Sequence, residues 1–190
     1  MATRQVKVNR APVLTLCAAV VAERLGYDSD EALTLGRAVA GLNAQSKGQR
    51  LGIFEPEEKT PEQIRAEKER VELWVPLLGR RVPAVHTPEG IRATARGKAM
   101  DPASVERYLK GKFGEALPEV REAMEHLARS LKPEELAKRA YTLYEQRRPP
   151  VPEGTRGWGA KGELTLEQIE ELRERRPEAE AVGSTQGARG

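Results

Sequence analysis

Apolar and polar positions recur along this chain with the period of short helices, and prolines mark where those helices begin. Proline suits the first helical turn because its missing N–H would be unpaired there and its φ is already helical. Three of these prolines follow a residue that can cap a helix: Thr60, Thr87 and Asp101. The prolines that predict helix starts are Pro12, Pro61, Pro88, Pro102, Pro118 and Pro133.

The strongest apolar run predicts a buried helical hairpin near the N-terminus. Residues 12–25 carry apolar side chains around nearly the whole helical circumference, which is typical of a helix buried in a core or in a subunit interface. A second helix is predicted from Asp28, which can form a capping box with Glu31, to about Asn43 or Ser46. Small residues in the second helix would let another helix approach closely: Gly36, Ala40 and Gly41.

Further along, most apolar positions keep the helical period. The exception is 71–85, where apolar residues alternate with polar ones, and a small β-hairpin turning at Gly79 is the alternative there. The other predicted helices are 60–71, 88–95, 102–112, one from Pro118, one from Pro133 and 165–176.

Together these elements predict an all-α fold, a compact bundle of seven or eight short helices with one β-hairpin at most. One structural domain is expected overall, and composition divides it into four parts. These are a basic arm with the buried hairpin (1–50), a helical core (51–147), a Pro/Gly loop with a C-terminal helix (148–176) and a disordered tail (177–190).

Composition supports a helical, cytoplasmic protein. Aromatic residues make up only 4% of the chain, so aliphatic residues and alanine must fill the core, which favours helices over strands. Cys17 is the single cysteine, so a reducing compartment is expected. The apolar run after Val13 is too short to cross a bilayer, and no signal peptide is predicted. Arginine outnumbers lysine 22 to 10, which is typical of a bacterium with a GC-rich genome.

Positive charge is concentrated in the middle of the chain, although the net charge is only +3. Residues 80–112 carry eight basic and three acidic side chains. The segment 80–113 resembles a helix-turn-helix arrangement, with predicted helices 88–95 and 102–112 joined by a turn at Gly97. The side chains predicted to contact nucleic-acid phosphates are Arg80, Arg81, Arg92, Arg96, Lys98, Arg107 and Lys110.

Enzymatic chemistry has no positive signal in the sequence. His86 and His126 lie far apart with no zinc-like spacing around them, and no glycine-rich nucleotide fingerprint is present. We therefore predict no catalytic residue, no metal and no cofactor. Trp158, which lies between two glycines, is interpreted as an anchor for the C-terminal loop or as a stacking residue.

The sequence favours a non-enzymatic DNA-binding, nucleoid-associated or regulatory protein that contacts double-stranded DNA through a basic helical face. A helical protein-interaction or scaffold module without a nucleic-acid partner is the alternative. An enzyme with its site at a dimer interface is a third interpretation. A homodimer through the hairpin 12–46 would suit each of these, and no membrane partner is expected.

Overall fold

The fold is taken from a computed structural model, which describes residues 5–50, 60–62, 65, 71–150 and 161–172. A short 3₁₀ turn, Gly114–Ala116, joins two of its helices. The helices are α1 (Arg10–Arg24), α2 (Ser29–Arg50), α3 (Pro102–Phe113), α4 (Leu117–Arg129), α5 (Pro133–Arg147) and α6 (166–172).

The strands form two antiparallel sheets. The larger sheet has four strands, and their order in the sheet follows the sequence. The smaller sheet pairs the first strand with the last, so that Gln5 lies opposite Thr165 and Val8 opposite Gly162. The strands are β1 (Gln5–Val8), β2 (Leu73–Leu77), β3 (Arg80–Thr87), β4 (Gly90–Ala95), β5 (Lys98–Ala99) and β6 (Gly162–Thr165).

α1 and α2 form the predicted hairpin, and the predicted capping box is confirmed. The backbone N–H of Glu31 donates to Asp28 Oδ1 over 2.8 Å, while the N–H of Asp28 donates to Glu31 Oε1 over 3.0 Å. Every residue of α1 from Pro12 to Ala22 is buried. Since α2, α3, α4 and α5 all contact α1, its apolar circumference is covered within a single chain.

The larger sheet packs against α2, mainly through β4. The N–H of Ile91 donates to Glu31 Oε2 over 2.8 Å, and the buried N–H of Ala93 donates to Thr34 Oγ1 over 3.0 Å. β5 pairs only with the far end of β4, at Thr94 and Ala95. Side chains of α2 therefore satisfy donors on the part of the β4 edge that β5 does not cover.

The predicted inward faces of the three central helices are confirmed. Asp101 caps α3 by accepting a hydrogen bond from the N–H of Ala103 over 3.1 Å. The buried hydrophobic residues of all these elements belong to one connected core cluster. On α3, α4 and α5 and in the turn after α4, the predicted core residues that are buried are Val105, Leu109, Phe113, Val120, Met124, Leu127, Leu131, Leu136, Ala140, Leu143 and Tyr144.

The all-α prediction is wrong, because the chain is a mixed α/β protein. The segment 88–95, predicted as a helix after Thr87 and Pro88, instead contributes the turn between β3 and β4 and the whole of β4. Thr87 Oγ1 donates to the Gly90 carbonyl over 2.7 Å, and Gly90 has φ +128°, a conformation that an α-helix excludes. Without that helix the helix-turn-helix interpretation of 80–113 is also wrong.

The hairpin considered for 71–85 is present, with its turn at Leu78 and Gly79, and it forms half of a larger sheet. Of the predicted helix 60–71, Pro61, Glu62 and Arg65 are described and helical. Trp158 and the tail 177–190 lie outside the described residues. The division into four parts stays a prediction. Among the described residues, no helix is both long and apolar enough to cross a membrane.

Candidate nucleic-acid interface

An arginine–tryptophan pair lies on the side of the larger sheet that faces away from the core. Along β2, Val75 and Leu77 are buried, whereas Trp74, which precedes Val75 and alternates with these two residues, points outward and is 49% exposed. Trp74 lies opposite Pro83 on β3, so Arg81, two residues earlier, is its diagonal neighbour on the same face. The Arg81 guanidinium carbon lies 5.4 Å from the centre of the indole ring. At that distance the ring attracts the cation, with a free energy of about 0.5–1 kcal/mol at an exposed site.

Arg80, the neighbour of Arg81, points to the opposite face of the sheet, where it contacts α2. Its Nη2 donates to Asn43 Oδ1 on α2 over 3.1 Å. The same oxygen lies 3.4 Å from the hydroxyl of Tyr141, which donates to it from α5. Arg80 therefore links the sheet to two helices, and its guanidinium is only partly exposed.

Arg92 is also directed into the fold, and the residue is only 6% exposed. Its Nη1 donates to the carbonyl of Ile91 over 2.9 Å, and its Nη2 lies 3.9 Å from Asp30 Oδ2 at the start of α2. Two of the seven predicted contact residues, Arg80 and Arg92, thus hold the sheet against the helices.

Arg96 and Lys98 lie together at the exposed turn between β4 and β5. Arg96 and Gly97 have φ values of +54° and +78°, the left-handed pair of conformations found in two-residue hairpin turns. Arg96 is thus the first residue of the turn and Lys98 is the first residue after it, and both residues are exposed.

Arg107 and Lys110 are exposed on α3, opposite its buried face of Val105 and Leu109. Lys110 Nζ lies 3.3 Å from Glu106 Oε1, one helical turn earlier. Such an exposed pair contributes little stability and is screened by salt, so Lys110 can exchange its partner at small cost. Of the seven predicted cations, five are therefore exposed: Arg81, Arg96, Lys98, Arg107 and Lys110.

Sequence reasoning missed Trp74 as a site residue, although the alternation along 71–77 carried the signal. It also missed a second cation–aromatic cluster on α3. The Arg37 guanidinium carbon lies 4.3 Å from the ring centre of Tyr108, and Lys112 Nζ lies 6.0 Å from it. Burial raises the pKa of Tyr108, and the positive charge of Arg37 opposes that rise.

Groups suited to catalysis are not gathered in the described part of the chain. No three histidine, cysteine, aspartate or glutamate side chains there could share a metal ion. His86 is exposed, and His126 Nε2 lies 3.7 Å from Glu122 Oε1 on the same helix. A small cavity between α1, α4 and α5 is lined by apolar side chains and by Arg147. It has room for about one water molecule, which is too little for a substrate.

Comparison with the known protein families, with curated proteins and with solved structures finds no match for this chain, so its function has to be inferred from the geometry above.

Proposed function

We propose that this protein binds nucleic acid without enzymatic activity, and that the contact is centred on Trp74 and Arg81. The exposed indole with a guanidinium over it is the observation that carries the proposal. Among the described residues Trp74 is the one large hydrophobic side chain that is exposed. An aromatic ring on an open sheet can stack on a base, which contributes about 1–3 kcal/mol per base.

Besides stacking, nucleic-acid binding needs attraction to phosphates, which the exposed cations supply. Arg81 is next to the indole, and Arg96 lies at the β4–β5 turn of the same sheet, whereas the strand register places Lys98 on the opposite face. Lysine and arginine contacts to phosphate release counterions, so they make binding strong at low salt and weak at high salt. The contact surface proposed here is therefore the sheet, in place of the helical face expected from the sequence.

This geometry favours single-stranded nucleic acid over the duplex expected from the sequence. Bases in a duplex are already stacked on each other, whereas those of a single strand are available to an exposed ring. The predicted recognition helix 102–112 is present as α3, but the predicted helix 88–95 that would set it against a major groove is replaced by a strand.

The test measures binding of a fluorescent single-stranded oligonucleotide and of its duplex by anisotropy at several salt concentrations. Trp74→Ala should weaken binding of the single strand about tenfold, because one stacked base is lost. Arg81→Gln should weaken binding and flatten the dependence of log K on log salt by about one contact. Arg139→Gln, which removes the same charge from the exposed side of α5, is the matched control and should change little.

A direct readout of stacking uses the emission of Trp74. The chain has two tryptophans, so a Trp158→Phe background leaves Trp74 as the single emitter. Stacking on a base should quench that emission in step with the anisotropy. If the oligonucleotides do not bind at low salt, or if Trp74→Ala behaves like Arg139→Gln, the proposal is wrong.

A protein-interaction module is the second candidate, and the same residue favours it. Tryptophan and arginine are enriched at the centres of protein interfaces, so an exposed pair also suits a protein partner. Absence of salt-dependent oligonucleotide binding would point to this function. A homodimer through 12–46 stays a prediction, although the burial of α1 within one chain removes the exposed apolar surface that suggested it.

A further inference from the structure

A cluster of arginines lies where α1 begins and α5 ends, and among the described residues no carboxylate is paired with it. Arg10 is the first residue of α1, and its Nε donates to the carbonyl of Pro149 over 2.8 Å. Arg148 precedes Pro149 and caps the end of α5, so that contact brings Arg10 beside Arg148. Both arginines are partly exposed, so their remaining N–H donors can reach a ligand.

Arg147, the neighbour of Arg148, turns into the core and contacts Cys17. Arg147 is only 4% exposed, its Nη2 donates to Cys17 Sγ, and its Nε has no hydrogen-bond partner. Across the described residues, no carboxylate forms an ion pair with Arg10, Arg147 or Arg148. Cations taken partly out of water without a counter-charge reduce stability, unless an anion joins them.

Electrostatics in the cluster agree with this arrangement. Burial lowers the pKa of Arg10, and the nearby charge of Arg148 lowers it further. Burial also raises the pKa of Tyr144, and the positive charge of Arg148 opposes that rise. The two arginines thus repel each other, and a bound anion would turn that repulsion into attraction.

The start of α1 contributes in the same direction. Its N-cap residue makes no side-chain cap hydrogen bond, and no acidic residue lies in the first turn. The positive end of the α1 dipole therefore has no carboxylate in its own first turn, while the negative end of the α5 dipole lies at Arg148. Guanidinium groups hold oxyanions through paired, charge-assisted hydrogen bonds, and a phosphate offers enough oxygens for two of them.

We propose that Arg10, at the start of α1, and Arg148, at the end of α5, form a binding site for a phosphate group. The phosphate belongs to the free ion or to the end of a nucleotide, since both present the same oxyanion. This site is separate from the contact at Trp74 and does not depend on it.

The test compares heat stability in phosphate and in chloride at equal ionic strength. Wild-type protein should unfold at a higher temperature in phosphate, because the ligand binds only the folded state. Arg148→Gln should lose that gain, and in chloride it should be at least as stable as wild type, since the repulsion on Arg10 is gone. Arg139→Gln, at an exposed position of the same helix, should keep the full response to phosphate.

Titration calorimetry with inorganic phosphate gives the affinity directly. Arg148→Gln should bind about tenfold more weakly or worse, and Arg10→Lys, which keeps the charge but loses the paired donors, should bind at an intermediate strength. A nucleoside 5′-monophosphate that binds more tightly than inorganic phosphate, with no binding of the nucleoside, would assign the phosphate to a nucleotide. Equal affinity would assign it to the free ion.

Two results would overturn the site. One is that phosphate stabilises wild type no more than chloride does, and the other is that Arg148→Gln responds to phosphate as wild type does. Trp74→Ala, which tests the proposed function, should leave phosphate binding unchanged, so the two proposals can fail separately.

Discussion

Gly36 lies where α1 and α2 approach each other closely. A Cβ atom there would come within 2.5 Å of the carbonyl oxygen of Thr15 and 2.8 Å of the amide nitrogen of Ala19. Both atoms belong to the backbone of α1, so they can move away only if the whole helix shifts. Gly41, five residues along α2, is exposed and has no atom within 4 Å of the same position.

The first prediction contrasts these two glycines. Gly36→Ala should lower the free energy of unfolding by about 1–3 kcal/mol, because the added methyl forces the helices apart. Gly41→Ala should raise it by about 0.5–1 kcal/mol, since alanine has the higher helix propensity and nothing is displaced. Urea unfolding measures both. A stabilising Gly36→Ala would show that the helices are not in close contact.

The sequence could predict only half of this contrast. Both glycines lie inside a predicted helix, and small residues in a helix suggest a close approach. Which of them faces the neighbouring helix depends on the crossing of α1 and α2, which a helical pattern alone does not contain. Gly36 fulfils the expectation and Gly41 does not.

At the scale of elements, the segment Thr87–Gly90 explains why the sequence pattern predicts a helix where the structure has β4. A threonine followed by proline and glutamate suits the first turn of a helix, and the same residues suit a turn between strands. The helix would leave β3 with one partner strand, whereas the turn gives it β4 as a second one. Local propensity could not decide between them, because the deciding contacts come from α2, sixty residues away at Ile91.

The sequence predicts the candidate site only in part. The basic segment gave five exposed cations, and helical periodicity correctly put Arg107 and Lys110 outside α3. Because 80–95 forms strands, its arginines alternate between faces, which turns Arg80 inward and leaves Arg81 outside. Arg92 is buried because Asp30 and the start of α2 lie against it, a tertiary contact that the local pattern does not reveal.

The second prediction concerns Thr34, whose hydroxyl oxygen accepts a hydrogen bond from the buried N–H of Ala93 on β4. Thr34→Val keeps the shape of the side chain but leaves the buried N–H of Ala93 without its acceptor, which should cost about 1–3 kcal/mol. Amide hydrogen exchange at Ala93 should become faster than in wild type. Thr34→Ser retains the acceptor oxygen and is the control, so it should leave exchange at Ala93 slow even if it costs some stability. Equal exchange in both variants would mean that the contact does not hold the strand.

At the scale of the whole molecule, the two ends of the described chain are joined. β1 and β6 pair over four residues, and the buried side chains of Val8 and Leu164 belong to the same core cluster as α1. Leu166 and Ile169, which follow on α6, are buried in it too. The fold is therefore closed by its C-terminal segment, and the core depends on contacts between residues far apart in sequence.

The third prediction tests whether that closure is part of one cooperative structure. Leu164→Ala removes a fully buried side chain from β6 and should lower the free energy of unfolding by about 2–5 kcal/mol. Glu163→Ala, at the neighbouring exposed position of the same strand, should change it by less than about 0.5 kcal/mol. Far-ultraviolet circular dichroism follows the helices, and near-ultraviolet dichroism follows packed tyrosines such as Tyr144. Both signals should shift together to lower urea in Leu164→Ala, because a connected core unfolds in one transition. If Leu164→Ala cost as little as Glu163→Ala, or if the two signals separated, the terminal strands would form an accessory that the helical core does not need.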